Sequence, residues 1–179
     1  MILKKPKMIR KLYILFFISV LTIISCSSTT KKKKIETFVF DNEKILTVEQ
    51  SKQLDAIYRG HEKRTTNEIV LVTTPDYGAF TNNVDFSVDF GNKHGIGKSG
   101  YENGVVIVFS KAKRETRIST GYGTEEVLKD EIARKIIDSL MIPKFKANLY
   151  FEGLRDGSIA IVNFLDKPEN KIKLRPKKK

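Results

Sequence analysis

Two stretches, Glu68–Thr74 (EIVLVTT) and Gly104–Ser110 (GVVIVFS), decide how the rest of the chain is read. Both are short, rich in β-branched residues and apolar almost without a break. A half-exposed strand alternates polar and apolar residues, so a continuous run of this length fits a strand covered on both faces. Pro75-Asp76-Tyr77-Gly78 stops the first run with turn residues. Lys111-Ala112-Lys113-Arg114 turns the chain after the second, and Glu115 to Thr120 alternates weakly and pairs back as a hairpin.

Helical patterns flank these strands. Thr47-Val48-Glu49-Gln50 fits a capping box, and Leu54, Ile57 and Tyr58 continue it as a helix over 48–63. Asn82 or Asn83 caps a second helix running to His94, with Val84/Val88 and Phe86/Phe90 at i, i+4 spacing. The glycine-rich segment that follows reads as a loop up to Gly104, and Gly121-Tyr122-Gly123 breaks the hairpin strand. A third helix is expected over 130–142, ended by Pro143, and a fourth over 149–165. The order α-β-α-β-β-α-α around two apolar strands predicts a single α/β domain, a three-layer α/β/α sandwich with a small mixed sheet.

The chain has 179 residues, enough for one domain of ordinary size. One cysteine excludes a disulfide framework and a Cys-based zinc cluster, and two histidines make a His-rich metal site improbable. A net charge of +12 first suggests nucleic acid. The basic excess sits in the ends, however. Lys4, Lys5, Lys7, Arg10 and Lys11 open the chain, Lys31–Lys34 follow, and Lys171, Lys173, Arg175 and Lys177–Lys179 close it. All 21 acidic residues lie in 35–170, leaving that core mildly acidic. The cationic ends read as solvating segments with a loose attraction to anionic lipid headgroups.

The basic flank is followed by an apolar run, residues 12–24, and then by Ser25-Cys26. The run is short for a membrane span and fits an export signal. Ile23-Ile24-Ser25-Cys26 resembles the bacterial lipobox, in which the cysteine is lipidated and becomes the new N-terminus. The expected organisation is a lipoprotein signal peptide over 1–25, lipid on Cys26, a polar Lys-rich tether over 26–37, a folded domain over 38–166 and a basic tail over 167–179. The expected place is the cell envelope, on the periplasmic side, with the outer membrane favoured. No nucleic-acid partner is expected there.

Among the motifs, Gly97-Lys98-Ser99 supplies half of a phosphate loop, but Asn92 stands where its first glycine belongs, so no nucleotide is expected. Asp85 and Asp89 read as a solvated helix face, and His94 as a helix-end cation. More informative are the loop-borne acids. Glu102 directly precedes the second strand, Glu125 and Asp130 follow Gly123, and Asp41 precedes the first helix. Carboxylates gathered on loops suit a hard cation such as calcium, which takes six to eight oxygen ligands. The competing readings are that Asp130 caps the third helix and that Glu125 is solvated.

The segment Gly121-Tyr122-Gly123-Thr124-Glu125-Glu126-Val127-Leu128-Lys129-Asp130 resembles the Gly-Tyr-Gly-x-Glu-x-x-Leu-x-Asp signature of the TPM domain family. Gly95-Ile96-Gly97 with Glu102-Asn103-Gly104-Val105, and Pro143-Lys144-Phe145 downstream, are similar to further elements of that family, as are Val39-Phe40-Asp41 and Ile45-Leu46-Thr47. The resemblance spans about 38–165. It implies an α/β/α sandwich in an exported or membrane-anchored protein. It also implies calcium binding, reported for some members, with Glu102, Glu125, Asp130 and Asp41 as the ligand candidates. Glu102 stands where the family usually has Asp. An acid phosphatase activity attributed to the family makes a metal-dependent phosphomonoesterase the alternative function, with Lys98 and Lys129 as helpers at the phosphate. The favoured expectation is a lipid-tethered, calcium-binding interaction or assembly module serving an envelope or membrane protein partner.

Overall fold

In the computed structural model, which describes residues 35–175, the two apolar runs become adjacent central strands. The sheet order is β1 (Val39–Asp41), β2 (Glu68–Thr73), β3 (Gly104–Ser110), β4 (Glu115–Thr120). β1, β2 and β3 run parallel, and β4 returns antiparallel to β3 through the Lys111–Arg114 turn. Every residue of β2 and β3 is buried, as strands covered on both faces require.

The helices divide between the two faces. α1 (Val48–Thr65) begins with the expected capping box: the Gln50 N–H donates to Thr47 Oγ1 (3.2 Å) and the Thr47 N–H to Gln50 Oε1 (2.9 Å). α2 (Asn83–His94) is capped by Asn82 and ends on Gly95, whose φ of 62° lies in the left-handed region. α2 covers one face alone. Its Ser87 meets Ser119 of β4 at 2.6 Å, and its Phe90 packs edge-on to Phe40 of β1. α1 lies on the other face with the C-terminal helices, where Leu54 and Tyr58 are fully buried. Each such side chain contributes about 1.5–3 kcal/mol by leaving water.

The C-terminal half differs from the expectation in two places. A short helix, α3 (Tyr122–Glu125), follows β4 directly. The third expected helix does not end at Pro143. α4 (Asp130–Ile136) passes through a π-turn (Ile137–Met141) into α5 (Ile142–Lys146). Pro143 thereby falls in the first turn of α5, where a missing N–H breaks no helical hydrogen bond. α6 (Tyr150–Leu165) then packs against α1, with Tyr58 Oη and Ser158 Oγ 2.6 Å apart.

Val39–Asp41, read from the sequence only as an element shared with the family, forms a strand in register with Leu71–Thr73. Three residues carry too little pattern to be read as a strand alone; the exposed backbone edge of β2 supplies the partner. The three-layer α/β/α arrangement and the single domain hold. The signal segment 1–25, Cys26 and nearly all of the 26–37 tether lie outside the described residues.

Candidate functional site

The Gly-rich motifs converge at the end of the sheet where β3 begins and β4 ends. Gly121 and Gly123 pass hard against the chain at Tyr101 and Glu102. A Cβ on Gly123 would sit 1.8 Å from the Tyr101 carbonyl oxygen, and one on Gly121 2.4 Å from that of Glu102. No side chain fits either gap. The Gly123 N–H donates to the Glu102 carbonyl at 3.0 Å, so the approach is also a hydrogen bond. The Gly-Tyr-Gly element is therefore a backbone knot.

Beneath the knot runs a chain of buried polar groups. The Glu68 side chain, 3% exposed, accepts from the Gly97 N–H (2.6 Å) and from Lys98 Nζ (2.5 Å), which also pairs with Glu62 at 2.9 Å. Burial opposes the Lys98 charge, but the two glutamates outweigh it and hold its pKa above the usual lysine value. Asn103 accepts from the Lys98 N–H (2.7 Å) and donates to Asn67 (3.0 Å). Asn67 lies 3.4 Å from Nε2 of the buried His61, whose Nδ1 meets Asp166 at 2.8 Å. Burial lowers the His61 pKa, so the neutral ring fits with Nδ1–H donating to Asp166 and Nε2 accepting from Asn67. The half phosphate loop at Gly97-Lys98-Ser99 thus has its lysine engaged inside the protein.

The C-terminal segment closes over this end. Ile172 is buried, the Arg175 N–H donates to the Gly100 carbonyl (2.6 Å), and the Arg175 side chain reaches the Tyr122 carbonyl (2.6 Å) and Glu126 (3.0 Å). The part of the basic tail that the structure describes is thus fastened to the fold.

The four cation candidates do not meet. Asp41 sits at the far end of β1, where its carboxylate accepts from the Thr73 hydroxyl and from the Ile45 (3.2 Å) and Leu46 (2.9 Å) N–H groups. It builds the turn into α1. Glu102 and Glu125 lie at the knot, the opposite end of the sheet; Glu102 is exposed with φ 50°. Asp130 opens α4, where Lys129 rather than Asp130 is the N-cap residue. Among the described residues no three His, Cys, Asp or Glu side chains are grouped to hold a metal ion. The four carboxylates do not come together as one calcium site.

A groove of about 830 Å³ lies elsewhere, between β4 and the α4–α5 helix. Its floor is apolar, with Phe109, Ile118, Ala133, Ile137 and Phe145. Lys111, Arg114, Arg117, Arg134 and Lys146 stand around it. Among the described residues none of these five forms an ion pair. Of the three acids on the groove, Glu115 is engaged by the Tyr77 hydroxyl (2.9 Å) and Asn83 (3.0 Å), leaving Asp130 and Asp138. Burial first, and then the adjacent Glu115 carboxylate, raise the Tyr77 pKa, which keeps the phenol a donor. The hydroxyls on the groove face no base: Thr116 donates to the Val108 carbonyl (2.9 Å) and Tyr150 to Asn148 (2.9 Å).

β4 is the edge of the sheet, and its outer side is open. The Gly121 N–H donates to Gly104 O, which makes that pair hydrogen-bonded and fixes the alternation along the hairpin. Ser119, Arg117 and Glu115 therefore direct their backbone groups to β3, while Thr116, Ile118 and Thr120 direct theirs outward. The sequence reading missed this surface because it assigned the basic excess to the chain ends. The signal was present in the clustered Lys111, Lys113 and Arg114 and in Arg117 within a hairpin strand.

Comparison with known proteins agrees with this architecture. The sequence profile of the TPM domain matches residues 39–164. The N-terminal domain of a P. gingivalis protein, solved by NMR, is 31% identical with a TM-score of 0.66, over 73% of this chain and 82% of that one. The BA42 protein of the psychrophilic bacterium Bizionia argentinensis is 22% identical with a TM-score of 0.60, over 75% and 94%. The N-terminal domain of a Corynebacterium glutamicum protein shares the fold at 8% identity, TM-score 0.57, over 73% and 81%. No curated protein matches the chain.

Proposed function

Since the chain belongs to the TPM domain family, we propose that it serves as an interaction module of the cell envelope, tethered to a membrane through lipid on Cys26. The observation that carries this reading is the groove beside β4. It joins an apolar floor, an open strand edge and basic side chains without counter-ions, the features of a docking surface rather than of a closed reaction chamber. The order of basic flank, apolar run and Ile23-Ile24-Ser25-Cys26 supports the tether and the periplasmic side. Among the described residues no helix is long and apolar enough to cross a membrane.

Calcium enters this proposal through the family resemblance. Glu102 and Glu125, which flank the same backbone knot, are the pair on which to test it. The metal-dependent phosphomonoesterase remains the alternative, and no observation in the groove favours it over docking.

The test uses the full chain expressed in bacteria. Membrane fractionation of the wild type against Cys26→Ala should move the protein from the membrane to the soluble fraction. Equal partition of the two would end the tether reading. Calorimetric titration of calcium, with Glu125→Gln as control, decides the cation. Phosphomonoester turnover by wild type, lost in a folded Asp130→Asn variant, would replace the docking reading with the enzymatic one.

A further inference from the structure

Resting on that docking reading, we propose that the groove takes an acidic, extended segment of a partner protein, which adds to β4 as a fifth strand. Two observations select this occupant. The first is the row of outward backbone groups on Thr116, Ile118 and Thr120, for which no hydrogen-bond partner outside the β3–β4 ladder occurs among the described residues. An open edge of this kind is completed by another extended chain, and alternate side chains of that chain then face the groove. Apolar ones meet Ile118, Ile137 and Phe145 on the floor.

The second observation is charge. Lys111, Arg114, Arg117, Arg134 and Lys146 outnumber the three acids of the groove, Glu115, Asp130 and Asp138, and the donors that hold Glu115 are neutral and leave its charge in place. The occupant's polar positions are therefore acidic. The same count argues against the other occupants. The chain's own ends carry Lys31–Lys34 and Lys177–Lys179, the same sign as the groove. A second copy joined β4 to β4 would set these basic groups against their equals, which disfavours the pairing.

The experiment uses isotopically labelled protein and four probes. These are an eight-residue peptide of alternating Glu and Val, the same peptide with Lys for Glu, the Glu-Val peptide N-methylated at alternate residues, and phosphatidylglycerol vesicles. The N-methylated peptide keeps the charge and removes the donors of one edge. The expected result is saturable binding of the Glu-Val peptide alone. Amide shifts should centre on Thr116, Ile118 and Thr120, with slowed hydrogen exchange there. Arg117→Ala with Arg134→Ala should weaken binding about tenfold, as two solvent-exposed ion pairs allow. These two residues lie on the surface of the groove, and Lys111→Ala with Lys146→Ala gives an independent pair should that variant fold poorly.

Equal binding of the N-methylated peptide overturns strand addition while leaving the groove a docking surface. Equal binding of the Lys peptide overturns the acidic partner in the same way. Groove shifts with vesicles and not with the Glu-Val peptide replace the protein partner by a lipid surface. If no probe moves a groove amide, the strand proposal and the docking reading both fall.

Discussion

The knot at one end of the sheet and the groove along β4 are built from the same residue types and behave oppositely. At the knot, Lys98 is held by two glutamates, Glu68 also accepts a backbone N–H, and Asn103, Asn67 and His61 hand hydrogen bonds along to Asp166. Along the groove, five cations stand without counter-ions and three backbone positions face outward. The residues that define the family signature serve architecture, because a polar group buried without a partner is strongly unfavourable and must be satisfied locally. The five cations without counter-ions lie outside the quoted motifs, although Asp130 and Phe145, which belong to them, also line the groove. In this protein the glycine motif and the available charge are different places.

The sharpest way to break that contrast is at Gly123. Gly123→Ala forces a methyl group into the Tyr101 carbonyl, so a loss of about 4 kcal/mol or failure to fold is expected. Urea denaturation measures it, and a loss below about 1 kcal/mol would mean the knot is looser than its geometry. Next is Lys98→Met, which leaves the buried Glu68 without its cation. About 2 kcal/mol should be lost, less than for a fully buried pair because Lys98 is 34% exposed. Unchanged stability would remove the knot's polar chain from the argument.

A third prediction concerns pH. The His61 pKa is lowered in the fold, so below about pH 6.5 the unfolded chain takes up a proton before the folded one does. Stability should therefore hold above pH 6.5 and fall as the pH drops below it, by at most about 1.4 kcal/mol per pH unit from this group. Denaturation midpoints from pH 8 to pH 5 read the slope, and His61→Gln should flatten it. A slope that survives in the variant belongs to another group.

The smallest effect is expected in the groove. Arg134→Ala and Lys146→Ala remove unpaired charges and should each change stability by less than about 0.5 kcal/mol. Calorimetric melting checks this. A loss comparable to that of Lys98→Met would show that these cations have internal partners, and the distinction between the two regions would collapse.

How much of this was legible beforehand follows from the range of each interaction. The β2 and β3 runs, the Thr47/Gln50 box and the Asn82 cap are local patterns, and each appears where the sequence put it. The third helix was misjudged at Pro143 because a proline ordinarily ends a helix. Here a π-turn shifts the register so that the proline meets no acceptor it fails to serve. The acids at positions 41, 102, 125 and 130 looked alike in sequence. Yet Asp41 is taken by its own turn at one end of β1, while Glu102 sits at the other end of the sheet.

The sequence by itself determined the fold class, the helix starts and the central strands, since these depend on hydrophobic period and on capping groups three residues apart. It also carried the family, through short ordered motifs whose glycines have a backbone reason to be there. Only the tertiary structure decided that β1 exists, that Lys98 is turned inward, that the described part of the basic tail is fastened over the knot, and that Arg117 and Arg134 share one groove. Those outcomes join residues far apart in the chain. Whether a charge ends up engaged or available depends on what the fold brings beside it, which no local pattern encodes.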